Sequence, residues 1–181
     1  LEFRRVLFRS QHRQSGGLIP MLLTDAVFST INSQMNAGWT IERQEINAAD
    51  GATGAPGDIT IYKDGAIFKA IEVTERPIDG SRVDSTFSTK ITLNNAAEYL
   101  FVYTNDLPRE NALERAKAYF AQGYNINFVS ITDLTIHILL SGDEAFRTAY
   151  NNRMFELFNA QDVQATIKVA WNDALTEAMQ A

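Results

Sequence analysis

The stretch DITIYKDGAIFKAIEVT, residues 58–74, decides the fold of this chain. Two runs rich in Ile, Val, Thr and Tyr flank Asp64-Gly65, a dipeptide that readily takes the left-handed backbone a two-residue hairpin turn needs. The stretch therefore predicts two antiparallel strands, with one oddity. Glu72 lies in the apolar run AIEVT, and an ionised carboxylate on a buried strand is costly unless something pairs with it. Lys69, Arg76 or solvent at a sheet edge would each be an ordinary answer.

Alternation along a strand puts Asp58, Thr60 and Tyr62 on one face, and Ala70, Glu72 and Thr74 likewise on one face. With Asp64 and Gly65 at the centre of the turn, residue i opposes residue 129 − i, so Gly57 opposes Glu72 and Asp58 opposes Ile71. A bulge, or Asp58 lying in the bend before its strand, would bring both carboxylates to one point. Two converging carboxylates raise each other's pKa unless a cation sits between them. With hard oxygen donors that cation is Mg²⁺, Mn²⁺ or Ca²⁺. The loop NAADGATGAPG, residues 47–57, holds three glycines and would let a metal or phosphate approach closely. Asp58 alone has a plainer account, a local hydrogen bond that starts the strand.

Working outward, Leu23, Val27, Ile31 and Met35 stand four apart and predict a helix over 22–35, stopped near Asn36–Gly38. WTIERQEI, from Trp39, alternates as a half-buried strand. The Ser and Thr content of 82–95 lowers helix propensity, but Val83, Phe87 and Ile91 are four apart and favour a helix. EYLFVYTN (98–105) and INFVSIT (126–132) read as buried strands. Between them LPRENALERAKAYFAQG reads as a helix with Pro108 near its first turn and Gly123 at its end. From 133 onward the chain predicts helices at 133–140, 143–159 and 161–179. Strands alternating with helices after a hairpin predict an α/β fold: a mixed sheet of hairpin plus parallel crossover strands, flanked by helices, with a helical C-terminus.

The 181 residues include 45% apolar and 21% charged residues and no cysteine, which excludes disulfides, thiolate metal sites and a Cys nucleophile. Of the two histidines, His12 and His137, the second reads as packed on a helix rather than as a base. The aromatic residues Tyr99, Phe101, Tyr103, Tyr119, Phe120 and Trp171 read as core. LEFRRVLFRSQHRQSGG (1–17) holds four of the 16 basic residues and one of the 22 acids, leaving 12 and 21 and a net charge of −9 for the remainder. Its opening resembles translated adapter or vector sequence, so residues 1–17 are taken as a non-native head and 18–181 as the folded domain, the C-terminal part of a longer protein. A basic amphipathic helix is the other reading of that head. The acidic body disfavours non-specific coating of nucleic acid, which depends on neutralising phosphates.

PGD at 56–58, the apolar hairpin and IEVT at 71–74 resemble the PD-(D/E)xK nuclease superfamily. More narrowly, AIEVTERPID…STFSTKI with EYLFVYTN and YFAQGYNINFVSI is similar to the C-terminal part of SacI-like type II restriction endonucleases, over about Asp58 to Trp171. The resemblance implies a restriction-endonuclease-like fold and Mg²⁺-dependent hydrolysis of double-stranded DNA, with Mn²⁺ able to substitute. It also implies a cytoplasmic prokaryotic homodimer with a cognate DNA methyltransferase as genetic partner. Asp58 and Glu72 match the two metal-binding acids. Thr74 stands where the motif normally has lysine; it can position a water but adds no charge. Lys90, from the following helix, is the favoured substitute, ahead of Arg76, with Lys69 on the opposite face. Glu45, on the strand before the glycine loop, and less so Glu75, are candidate auxiliary acids, although an exposed strand residue is the plainer reading of Glu45. Arg76 and Arg82 are DNA-contact candidates, although Arg82 could instead pair with Asp79. A catalytically silent DNA-binding relative and a DNA-repair nuclease on the same fold are the alternatives.

Overall fold

The computed structural model describes residues 17–44, 55–160 and 163–179. Its elements run α1 (Leu18–Met35), β1 (Trp39–Arg43), β2 (Ile59–Lys63), β3 (Ala66–Thr74), α2 (Gly80–Thr86), a π-helical turn (Phe87–Ile91) and α3 (Thr92–Asn94). They continue with β4 (Glu98–Tyr103), α4 (Glu110–Phe120), β5 (Asn125–Ser130), α5 (Ile131–Ser141), α6 (Glu144–Asn159) and α7 (Ala165–Met179). The chain divides into two compact units. One is residues 37–130; the other comprises the described residues up to Asn36 and from Ile131 onward.

The first unit is a five-stranded sheet in the order β1-β2-β3-β4-β5. β1, β2 and β3 pair antiparallel, and β3, β4 and β5 pair parallel. This is the mixed sheet expected. Asp64 and Gly65 both have positive φ, 53° and 79°, as the two-residue hairpin requires. Lys63 pairs with Ala66 and Tyr62 with Ile67, the register that the turn sets. The register then slips by one residue, and Ile61 pairs with Lys69, Thr60 with Ala70 and Ile59 with Ile71. Phe68 is the extra residue of this bulge, and its ring stacks on Trp39 of β1 at 5.3 Å.

One sheet face carries Ala70, Tyr99, Phe101, Tyr103 and Ile126. Ile78, Val83, Ile91, Ala96, Ala112 and Ala116, from α2, α4 and the segments beside them, pack over it. Burying one large aliphatic or aromatic side chain contributes about 1.5–3 kcal/mol. Ile59, Ile61, Ile71 and Val102 are buried as well. In the hydroxyl-rich helix Ser88 donates to the Asp84 carbonyl at 3.1 Å, Thr89 to Ser85 at 2.8 Å and Thr92 to Phe87 at 3.0 Å. Such back-bonding bends helices. Here it accompanies a π turn in which the Thr92 N–H reaches the Phe87 carbonyl. Phe87 stacks on Tyr119 at 3.7 Å, while Phe120 is exposed rather than part of the core.

In the second unit α1 buries Leu18, Ile19, Leu22, Leu23, Ala26, Val27 and Phe28, more than the single stripe expected, and Met35 is exposed. The buried carboxylate of Asp25 accepts from Ser29 at 2.7 Å and from Arg153 of α6 at 3.4 Å. Trp171 stacks on Phe158 at 4.6 Å, a packing role as anticipated. His137 is exposed on α5, not packed. Among the described residues, no helix is long and apolar enough to cross a membrane.

Candidate active site

Asp58 ends the bend that leads into β2. Its carbonyl accepts from Gln44 N–H at 2.8 Å, extending the β1–β2 ladder by one bond. Its carboxylate Oδ2 accepts from Val73 N–H of β3 at 2.7 Å. The side chain thereby takes the ladder place that a further backbone carbonyl would hold. Immediately before it, Gly57 passes directly over Ile71: a Cβ at Gly57 would lie 2.5 Å from the Ile71 carbonyl oxygen and 3.0 Å from its carbon and nitrogen. Only glycine fits there, so the bend, the bulge and the ladder together deliver Asp58 to Val73, the neighbour of Glu72. The slipped register, continued one step, sets residue 58 opposite residue 72.

Glu72 is 7% exposed, and its charge is answered on both oxygens. Oε1 accepts from Arg82 Nη2 at 2.7 Å; Oε2 accepts from Lys90 Nζ at 3.0 Å and from the Tyr99 hydroxyl at 2.8 Å. Burial alone pushes this carboxyl up. The Lys90 charge and the hydrogen bonds from Arg82, Lys90 and Tyr99 outweigh burial and hold it below its ordinary value of 4.5. A group whose folded pKa lies below its unfolded one stabilises the fold fully above the unfolded value and progressively less as pH falls through the folded one. In metal-free buffer the stability gap between the unsubstituted chain and Glu72→Gln should therefore shrink as pH falls below about 4.5. Thermal unfolding across pH 3 to 7 checks this, and a constant gap contradicts it.

Lys90, the favoured substitute for the motif lysine, comes from the π turn to Glu72. Arg82 does not form the ion pair with Asp79 that was one of its two readings. Asp79 uses its carboxylate to cap α2, accepting from Arg82 N–H at 3.0 Å, and its nearest cation is Arg109 at 3.9 Å. The Arg82 guanidinium instead spans Glu72 and the Arg76 carbonyl, the latter at 3.4 Å. Thr74 is buried and its hydroxyl accepts from Arg76 N–H at 3.1 Å, closing a local turn at the end of β3. Arg76 and Glu75 are exposed. Lys69 pairs with Glu98 at 3.3 Å, away from Glu72. Glu45 lies outside the described residues.

Tyr99 is the site residue that pattern reading missed. Its pattern is that of a core residue, and it is fully buried, but its hydroxyl donates to Glu72 and feels the Asp58 charge as well. Burial first, then Glu72 and Asp58, push its pKa well above the ordinary value of 10.0. The available signal was its chemistry: a buried tyrosine hydroxyl needs a partner, and Tyr99 sits beside Ala70 on the adjacent parallel strand, diagonal to Glu72.

The donor set suits a small hard cation. Mg²⁺ is characteristically held by one or two carboxylates, with water and substrate phosphate completing its shell. Asp58 and Glu72 are the two carboxylates that could hold one, and among the described residues no group of three or more His, Asp or Glu offers a closed cage. The side chain of Lys90 is 36% exposed, against 9% for that of its partner Glu72.

The sequence model of the SacI restriction endonuclease C-terminal domain matches residues 2–105, a span that includes both acids, Lys90 and Tyr99. The chain belongs to that family. This SacI-type domain has the restriction-endonuclease-like architecture that the motif suggested, and the family points to nuclease function. No curated protein matches the chain.

Proposed function

We propose that this SacI-type domain is a Mg²⁺-dependent, sequence-specific endonuclease that hydrolyses phosphodiester bonds of double-stranded DNA. The observation that carries the reading is that the Asp58 carboxylate bonds the N–H of Val73, the residue next to Glu72, while Lys90 pairs with Glu72 itself. A divalent metal held by Asp58 and Glu72 would lower the pKa of a bound water and neutralise charge on the scissile phosphate. The chain's own contribution is positioning. Gly57, Gln44 and Val73 fix Asp58, and the β3–β4 pairing fixes Glu72. Lys90 supplies the positive charge that Thr74 lacks, at a place where a phosphate oxygen or the attacking water would lie. Thr74, bound to the Arg76 backbone, holds the end of the strand and offers its hydroxyl to water. Exposed Arg76, together with Arg82, provides cations for phosphate or guanine contacts. Action on both strands would call for a homodimer, and protection of the host for a cognate methyltransferase.

The absence of a motif lysine supports a second reading, a silent DNA-binding relative. Incubating the 181-residue chain with plasmid DNA separates the two. Cleavage with Mg²⁺ or Mn²⁺ and none with EDTA is the expected result. DNA binding without cleavage, under conditions where the chain is folded, would favour the silent module.

A further inference from the structure

Three donors converge on Glu72, and they do not respond alike to a divalent cation. Lys90 and Arg82 each carry a full positive charge that an incoming metal repels. Tyr99 is a neutral donor. A carboxylate offers about four lone-pair sites over its two oxygens, so the Tyr99 bond to Oε2 is compatible with a metal on the same group. Tyr99 is also the most rigid of the three: it is 0% exposed and stands on a central strand, whereas the cations come from the ends of long flexible side chains. Its ring is held by Phe101 at 5.2 Å. The Asp58 charge reaches its hydroxyl as well.

From this arrangement we infer that Tyr99 is a positioning residue for the metal-holding carboxylate. It anchors Oε2 of Glu72 so that Oε1 can pass from Arg82 to the metal without the carboxylate turning away. The inference rests on the reading of Asp58 and Glu72 as metal ligands. A donor that orients a metal ligand without touching the metal typically governs about 10- to 100-fold in metal affinity.

The test is Mn²⁺ binding to the full 181-residue chain, followed by calorimetry without DNA, alongside cleavage in Mg²⁺. Tyr99→Phe keeps the ring and its packing, and circular dichroism melting reports whether it folds. The expected result is Mn²⁺ affinity weakened about tenfold in a folded Tyr99→Phe. Unchanged affinity in a folded Tyr99→Phe, or no Mn²⁺ binding by the unsubstituted chain, would each overturn the inference. Mn²⁺ binding that depends on Tyr99, without DNA cleavage, would uphold it while removing the endonuclease reading.

Discussion

Glu72→Ala is expected to abolish metal-dependent DNA cleavage, and Asp58→Ala to do the same, each leaving less than about a thousandth of the original rate. Losses on that scale, about 4 kcal/mol or more of transition-state stabilisation, follow when a unit that fixes charge at the reacting centre is broken. The two variants should differ in stability. Removing Glu72 leaves Lys90 and Arg82 facing each other and the Tyr99 hydroxyl without its acceptor, and breaking a buried ion pair in this way costs about 3 kcal/mol. Removing the Asp58 carboxylate forfeits one bond to Val73 N–H, about 1–3 kcal/mol for a charged acceptor. Glu72→Gln keeps the shape and should be inactive with a smaller loss of stability. Rates in Mg²⁺ beside melting temperatures read both effects. Cleavage retained by folded Glu72→Ala or Asp58→Ala would remove these acids from the chemistry.

Gly57→Ala carries the second large expectation, though Gly57 itself bears no chemistry. Its added methyl would stand 2.5 Å from the backbone oxygen of Ile71, and a buried strand cannot yield as a flexible side-chain tip can. The bend must move, and Asp58 is the next residue. A misplacement of about 1 Å at a reacting centre costs on the order of 100-fold in rate. Gly57→Ala should therefore lose about that much cleavage while remaining folded, with Mn²⁺ binding weakened in parallel. Full activity in this variant would mean that the bend does not set the position of Asp58.

The hairpin was legible because Asp64-Gly65 between two β-rich runs has few other solutions, and the parallel half because helical and strand periodicities alternate after it. A bulge was one of two ways to bring the acids together, but its place was not legible. It depends on Phe68 leaving the ladder to stack on Trp39, a partner on another strand that no local pattern names. Asp58, Glu72 and Lys90 stand out as candidates because an acid on an apolar strand demands a partner and the PGD motif suggests one; the structure adds that Lys90 bonds Glu72. Arg82 and Tyr99 could not be placed by periodicity. Asp79 looked like the natural mate of Arg82, and only the cap geometry shows its carboxylate spent on the Arg82 backbone instead. Tyr99 satisfied the apolar pattern so well that its hydroxyl went unread. The helix α1 was found by its four-residue spacing, but such spacing traces one stripe and cannot reveal a helix buried on most of its sides.

The central claim is that Asp58 and Glu72, brought together across the hairpin, form a single metal site. Electron paramagnetic resonance of Mn²⁺ titrated into the chain with bound DNA, compared among the unsubstituted protein, Asp58→Asn and Glu72→Gln, tests it most directly. The account predicts that a bound-Mn²⁺ signal present in the unsubstituted chain is lost in both variants. A signal that survives in either one would contradict it.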